Sequence, residues 1–171
     1  MAKREGAMSR TSPLIPELAI VVRPVASLAP RRGNPRTHSE KQIDQIAASI
    51  VEFGFTNPLL IDASGTLIAG HGRLRAAQKM RLEVVPTVQL DHLTEAQVRA
   101  LVIADNRLAE NAGWDKDLLA IEFQGLAELD LDFDLEVTGF DMPDIDLMIA
   151  GVSPETASDP ADADVELDPS A

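Results

Sequence analysis

The stretch LIAGHGRLRAA, residues 67–77, decides how the rest of the chain is read. Leu67, Ile68 and Ala69 form a short apolar run of the kind that makes a strand, and Leu74, Ala76, Ala77 and Met80 recur with the spacing of one helix face. Gly70 and Gly72 stand at the junction, so the sequence predicts a strand that turns through glycine into a helix. A helix start leaves backbone N–H groups without partners and carries a partial positive charge. With Arg73 and Arg75 beside it, this start is suited to hold an anion, and a phosphate is the first candidate. A second reading stands beside that one, in which the glycines serve only the backbone angles of the turn.

The chain has 171 residues, 45% of them hydrophobic, enough for one ordinary domain with a core and some tail. It has no cysteine, which excludes disulfides, thiol catalysis and cysteine-held metals. Only His38, His71 and His92 supply imidazole, too few for a histidine-rich metal site. The charged opening MAKREGAMSR leads into prolines, and LAIVV is too short for a signal core or a membrane span, so a soluble, cytoplasmic protein without membrane contact is expected. Charge is uneven: residues 1–90 hold 12 Lys+Arg against 7 Asp+Glu, and residues 91–171 hold 3 against 21. A chain of net charge −13 does not coat itself with nucleic acid, so DNA contact is expected to be weak or indirect. Arg23, Arg31, Arg32 and Arg36 are the candidates for it, with a solvated loop as the alternative because no aromatic residues are interleaved for base stacking.

The chain is expected to divide into a loose leader (1–16), a main domain with a helical extension (17–150) and a disordered acidic tail or linker (151–171). The tail is either a tether or a solubilising terminus. ELAIVV reads as a strand and RRGNPRT as a loop. Ser39 and Gln42 form a capping-box pattern for a helix that buries Ile43, Ile46, Ala47 and Ile50 and stops at Gly54. NPLLI and TLIA are strands joined by a DASG turn, and EVVPTVQL is a strand whose proline predicts an edge position or a bulge. Thr94 and Gln97 cap a second helix with a buried stripe of Val98, Leu101, Val102, Leu108 and Ala109. Asp105 falls inside that stripe, so it should meet a cation, a donor or a metal. WDKDLLAIEFQGLAEL is a further helix, capped by Asp115, with Leu119, Phe123 and Leu126 inward, and MPDIDLMIAG is a last short one.

The order NPR, a capped helix, GFTNPLLI, LIAGHGRLRAA and ALVIADNRLAENAGWDKDLL resembles the N-terminal domain of the ParB/sulfiredoxin superfamily, from about Leu18 to Ile149. It is most similar to the ParB-like domains found beside phage or mobile-element DNA methyltransferases. The resemblance implies an α/β (α+β) fold, a small mixed sheet with surrounding helices and a helical C-terminal extension. It also implies a nucleotide, CTP or ATP with Mg²⁺, whose phosphates lie against Gly70, His71, Gly72, Arg73 and Arg75. Asn34 and Arg36 match the family's NPR box near that pocket, although a loop held by proline explains them equally. Asp105 and Asn106 match the acidic-Asn pair that holds the metal, which supplies the oxygen ligands Mg²⁺ prefers. Two positions depart: His71 and Gly72 stand where partitioning proteins usually have Glu-Arg, and Ala109 stands where a family arginine is expected. Sulfiredoxins place their catalytic cysteine where His71 stands, so reductase chemistry is excluded.

The expected role is a nucleotide-binding accessory module in DNA partitioning, modification or mobile-element maintenance. Its partners would be a DNA-modifying or DNA-partitioning protein and a second copy as a dimer; weak nucleotide hydrolysis is left open. The helices after Trp114 and the tail look too short for the helix-turn-helix domain with which partitioning proteins read DNA. Three rivals remain: a small-molecule phosphotransferase with His71 as general base, a metal-dependent nuclease using Asp105 and Glu110, and an interaction scaffold that binds no nucleotide.

Overall fold

The structure, a computed structural model, describes residues 14–151. The chain divides after Ala112 into two compact units, the second being the helical extension of the sequence reading. The body of the leader and the acidic tail lie outside the described residues.

The first unit is built on a four-stranded mixed sheet in the order β1-β4-β2-β3, with β1 Ile20–Pro24, β2 Leu59–Ile61, β3 Leu67–Ala69 and β4 Val84–Gln89. β1 and β2 flank β4, antiparallel and parallel respectively, and β3 closes on β2 antiparallel. Three helices accompany it: α1 Glu40–Phe53, α2 His71–Lys79 and α3 Glu95–Asn111. Because neighbouring residues of a strand point to opposite faces, the sheet carries two cores. Leu59, Ile61, Leu67 and Val85 meet Leu74 and Ala77 of α2 in one, and Ile68, Val88 and Leu90 meet Val98 and Val102 of α3 in the other. The DASG turn forms as expected, with Asp62 Oδ1 accepting the N–H groups of Ser64 (2.9 Å) and Thr66 (3.0 Å).

Both caps form. Ser39 accepts the Gln42 N–H, and Thr94 with Gln97 makes the full reciprocal box. Pro86 is corrected: β4 lies inside the sheet, not at its edge. The bond from the Val25 N–H to the Glu83 oxygen makes 83, 85 and 87 the positions that exchange bonds with β1, so Pro86 turns its nitrogen toward β2. The pairing with β2 begins only at Thr87, and the missing N–H therefore opposes no residue of that strand. The buried stripe of α3 is also corrected. Val98 and Val102 are buried and Leu101 half-buried, but Leu108 and Ala109 are exposed, and so is Asp105.

The second unit holds α4 Lys116–Ala127, a 3-10 turn at Leu135–Thr138 and α5 Met142–Ala150. Asp115 caps α4 by accepting the N–H groups of Asp117 and Leu118. Phe123, Leu135 and Ile145 make its buried core, with Leu119 and Leu126 packed at the margin. Trp114 stands edge-on to Phe140, centroids 5.7 Å apart, and Phe140 edge-on to Phe123 at 5.4 Å.

Candidate functional site

β3 delivers the chain to Gly70, which takes φ +94° and caps α2 without a side chain. A Cβ there would lie 2.6 Å from Leu59 Cδ2 and 3.0 Å from Arg73 Nη2, so both the backbone angle and the space call for glycine. Gly72 answers to packing alone. It is buried, and a Cβ on it would come within 2.9 Å of Ile46 Cδ1 and 3.1 Å of His38 Cε1 on the α1 side. The first helical bond runs from the Leu74 N–H to the Gly70 oxygen. The N–H groups of His71, Gly72 and Arg73 are therefore the ones that the helix itself leaves unbonded.

The two arginines of the motif part company. Arg73 is half-buried, its guanidinium folded back over Gly70, and among the described residues no hydrogen bond or ion pair engages it. Burial pushes it below its ordinary value while Asp105 pulls the other way, and an arginine stays charged throughout. A half-desolvated cation facing one exposed carboxylate is an arrangement that favours an added anion. Arg75 instead ties α2 to α1, donating to the His38 oxygen (3.0 Å) and to Glu40 Oε1 (2.6 Å).

Two clefts share Arg36, His38 and His71. The smaller, about 190 Å³, contains Gly70, Gly72, Arg73, Asp105 and Asn106. The larger, about 520 Å³, runs along the NPR loop past Pro30, Arg31, Gly33, Asn34, Leu74 and Arg75. Each of the sequence-predicted site residues thus lines one or both of these two clefts. Asn34 shapes the loop by donating to the Arg36 oxygen (3.1 Å). Arg36 is held by Glu110, which Arg107 also reaches at 3.3 Å. Asn106 donates to the Val102 oxygen (2.7 Å), leaving its own oxygen for another partner. Arg23 does not belong to the loop cluster; it stands on β1 and donates to Gln89.

His71 accepts the Arg31 N–H on Nε2 at 3.3 Å, which puts the ring proton on Nδ1. Burial first, then His38 and Arg31, hold the imidazole below its ordinary 6.5. With Nε2 accepting and Nδ1 protonated, neither nitrogen is a free base, which weakens the phosphotransferase reading. The nuclease reading turns on Asp105 and Glu110. Among the described residues no three His, Cys, Asp or Glu side chains gather as a metal site, and Glu110 is occupied by Arg36 and Arg107. Sequence reasoning missed His38, which lines both clefts, packs on Gly72 and is joined to Gln42 Oε1 at 2.9 Å. Its signal was its place between the NPR loop and the Ser39 cap.

Comparison with known proteins bears on both units. Residues 16–107 match the family model of the ParB N-terminal domain, and residues 117–171 match that of the ParB-methyltransferase HTH domain. The second match corrects the expectation that too little chain follows Trp114 for such a domain. The ParB-like nuclease domain-containing protein YnaK of Escherichia coli is 48% identical over 81 residues, 47% of this chain and 93% of that protein. The chromosome-partitioning protein Spo0J of Thermus thermophilus is 34% identical over 142 residues, 77% of this chain, which spans 50% of that relative's length. Among solved structures, the C-terminally truncated chromosome-partitioning protein ParB of Caulobacter crescentus, complexed with CTP-γ-S, superposes with a TM-score of 0.56 and 26% identity, covering 64% of this chain and 63% of that one. Among the described residues no helix is long and apolar enough to cross a membrane. The glycine-turned helix start, the mixed sheet beneath it and these matches have one conclusion: the chain belongs to the ParB N-terminal domain family.

Proposed function

We propose that residues 16–107 form a nucleoside triphosphate-binding module, taking CTP or ATP with Mg²⁺, and that the chain serves as an accessory in DNA partitioning, modification or mobile-element maintenance. The observation that carries this reading is Arg73, a half-buried guanidinium with no hydrogen-bonded partner among the described residues, set over a helix start whose first N–H groups the helix leaves unbonded. Phosphates would sit in the smaller cleft against His71, Gly72 and Arg73, with the nucleoside in the larger cleft along the NPR loop. Likeness to a ParB solved with CTP-γ-S supports the ligand class.

Asp105 and Asn106 fit a Mg²⁺ that arrives with its phosphates. They offer one carboxylate and one amide oxygen, hard donors of the type this ion accepts, and too few to hold it alone. The ion would neutralise phosphate charge beside Arg73. Arg75 is a positioning residue for α2, and Arg36 contacts phosphate only if it leaves Glu110.

Thermal unfolding of the full chain with CTP, ATP, GTP and UTP, each with and without Mg²⁺, tests the reading. A ligand that binds only the native state adds about 2.7 kcal/mol when present at a hundred times its dissociation constant. CTP or ATP with Mg²⁺ should raise the melting temperature. No shift with any nucleotide would overturn the proposal in favour of the scaffold reading.

A further inference from the structure

The segment that matches an HTH family model, residues 117–171, holds 16 Asp+Glu and no Lys, Arg or His. Nucleic-acid affinity comes from cations that neutralise phosphates, and the commonest base contacts also come from Arg and Lys. This segment supplies neither, and its charge repels a duplex.

Its described part offers a different surface. Between α4 and α5 lies a groove of about 400 Å³, walled by Ala120, Leu147 and Met148, with Asp117 and Asp144 on it and Lys116 its one cation. Leu147 is 73% exposed and Leu118 52%, outside the core made by Phe123, Leu135 and Ile145. An apolar groove between helices, flanked by carboxylates, complements the apolar stripe and basic flanks of an amphipathic helix. The chain that continues from Gly151 carries six acidic residues and no base, the same sign as the carboxylates here, so charge opposes its own occupation of the groove.

We propose that the α4–α5 unit is a docking module for a basic amphipathic helix of a protein partner, and not a DNA reader. The proposal is independent of nucleotide binding at the first unit.

Amide spectra of the isotope-labelled full chain, titrated with a Lys/Leu amphipathic helical peptide, its Glu/Leu counterpart and a mixed-sequence DNA duplex, test it. The basic peptide should shift Ala120, Leu147 and Met148 saturably, with salt weakening it. Leu147→Asp separates docking from bulk charge: it adds a carboxylate, so simple attraction would strengthen, whereas groove docking should weaken by about tenfold or more. Leu147→Gln, which keeps the net charge, should weaken binding as well. The proposal is overturned by an unsaturable response, by equal or tighter binding to Leu147→Asp, by equal binding of the Glu/Leu peptide, or by DNA shifting α4 and α5.

Discussion

The two units use charge in opposite ways. In the first, cations are individually placed: Arg75 and Lys79 tie α2 to α1, Arg36 meets Glu110, and Arg73 alone of these is left facing a cleft without an ion-pair partner. In the second, the described stretch 113–151 has Lys116 as its only base, and its acidic side chains are exposed or half-exposed around a small apolar core. The contrast means that membership in the ParB N-terminal domain family does not by itself say what each unit binds. Function follows the site, and under the two proposals the sites would select ligands of opposite sign.

If the second unit stands on its apolar core, removing the ring of Phe123 should be the most damaging change. Phe123→Ala is expected to cost about 3–5 kcal/mol. Denaturant unfolding followed by Trp114, the only tryptophan and a neighbour of the Phe140 ring, would read it; a loss below about 1 kcal/mol would show that the core is held by something else.

The matching stress on the first unit is Gly70→Ala, which puts a side chain at φ +94° and against Leu59 and Arg73. A strained backbone of this kind costs about 1–3 kcal/mol, before the contact with Leu59 is counted. Thermal unfolding should show that loss together with loss of nucleotide binding. Full stability with intact binding would mean that the turn relaxes and that Gly70 is dispensable.

The smallest expected effect is the pH response of His71, whose folded-state value is lowered by burial, His38 and Arg31. Above 6.5 the imidazole is neutral in both states. As pH falls through 6.5 the unfolded chain takes up the proton first, so stability is lost between 6.5 and the lower folded value. The denaturation midpoint of the native chain should therefore fall more steeply from about pH 7 to pH 5 than that of His71→Gln. Parallel curves would show that His71 is not held neutral by its surroundings.

Much of the first unit is legible in the sequence because its signals are local. Ser39 and Thr94 cap their helices, as Asp115 does in the second unit, through hydrogen bonds spanning three residues or fewer, and Gly70 marks a turn whose positive φ by itself already calls for glycine. What escapes is set by distant chain. The stripe of α3 repeats through Leu108, yet burial ends after Val102, where the surface formed by Ile68, Val88 and Leu90 ends. Periodicity cannot show where a partner surface stops. Asp105 is consequently an exposed carboxylate that offsets Arg73, and not a buried charge in need of rescue. Pro86 is tolerated inside a sheet because β2 is short at that end. Residues that line the two clefts could be named from the sequence, but the different settings of Arg73 and Arg75 depend on Glu40 and the His38 carbonyl, 35 and 37 positions away from Arg75 in sequence.

Calorimetric titration of CTP and ATP with Mg²⁺ into the native chain, Arg73→Ala and Arg75→Ala separates a phosphate-binding arginine from one that positions α2. Arg73→Ala should lose about 1.5–3 kcal/mol of binding free energy, since it removes a charge-assisted contact, whereas Arg75→Ala, which removes a contact exposed on both sides, should change binding by less than about 1 kcal/mol. Unchanged affinity in Arg73→Ala, or an equal loss in Arg75→Ala, would mean that the two arginines do not divide the work in this way.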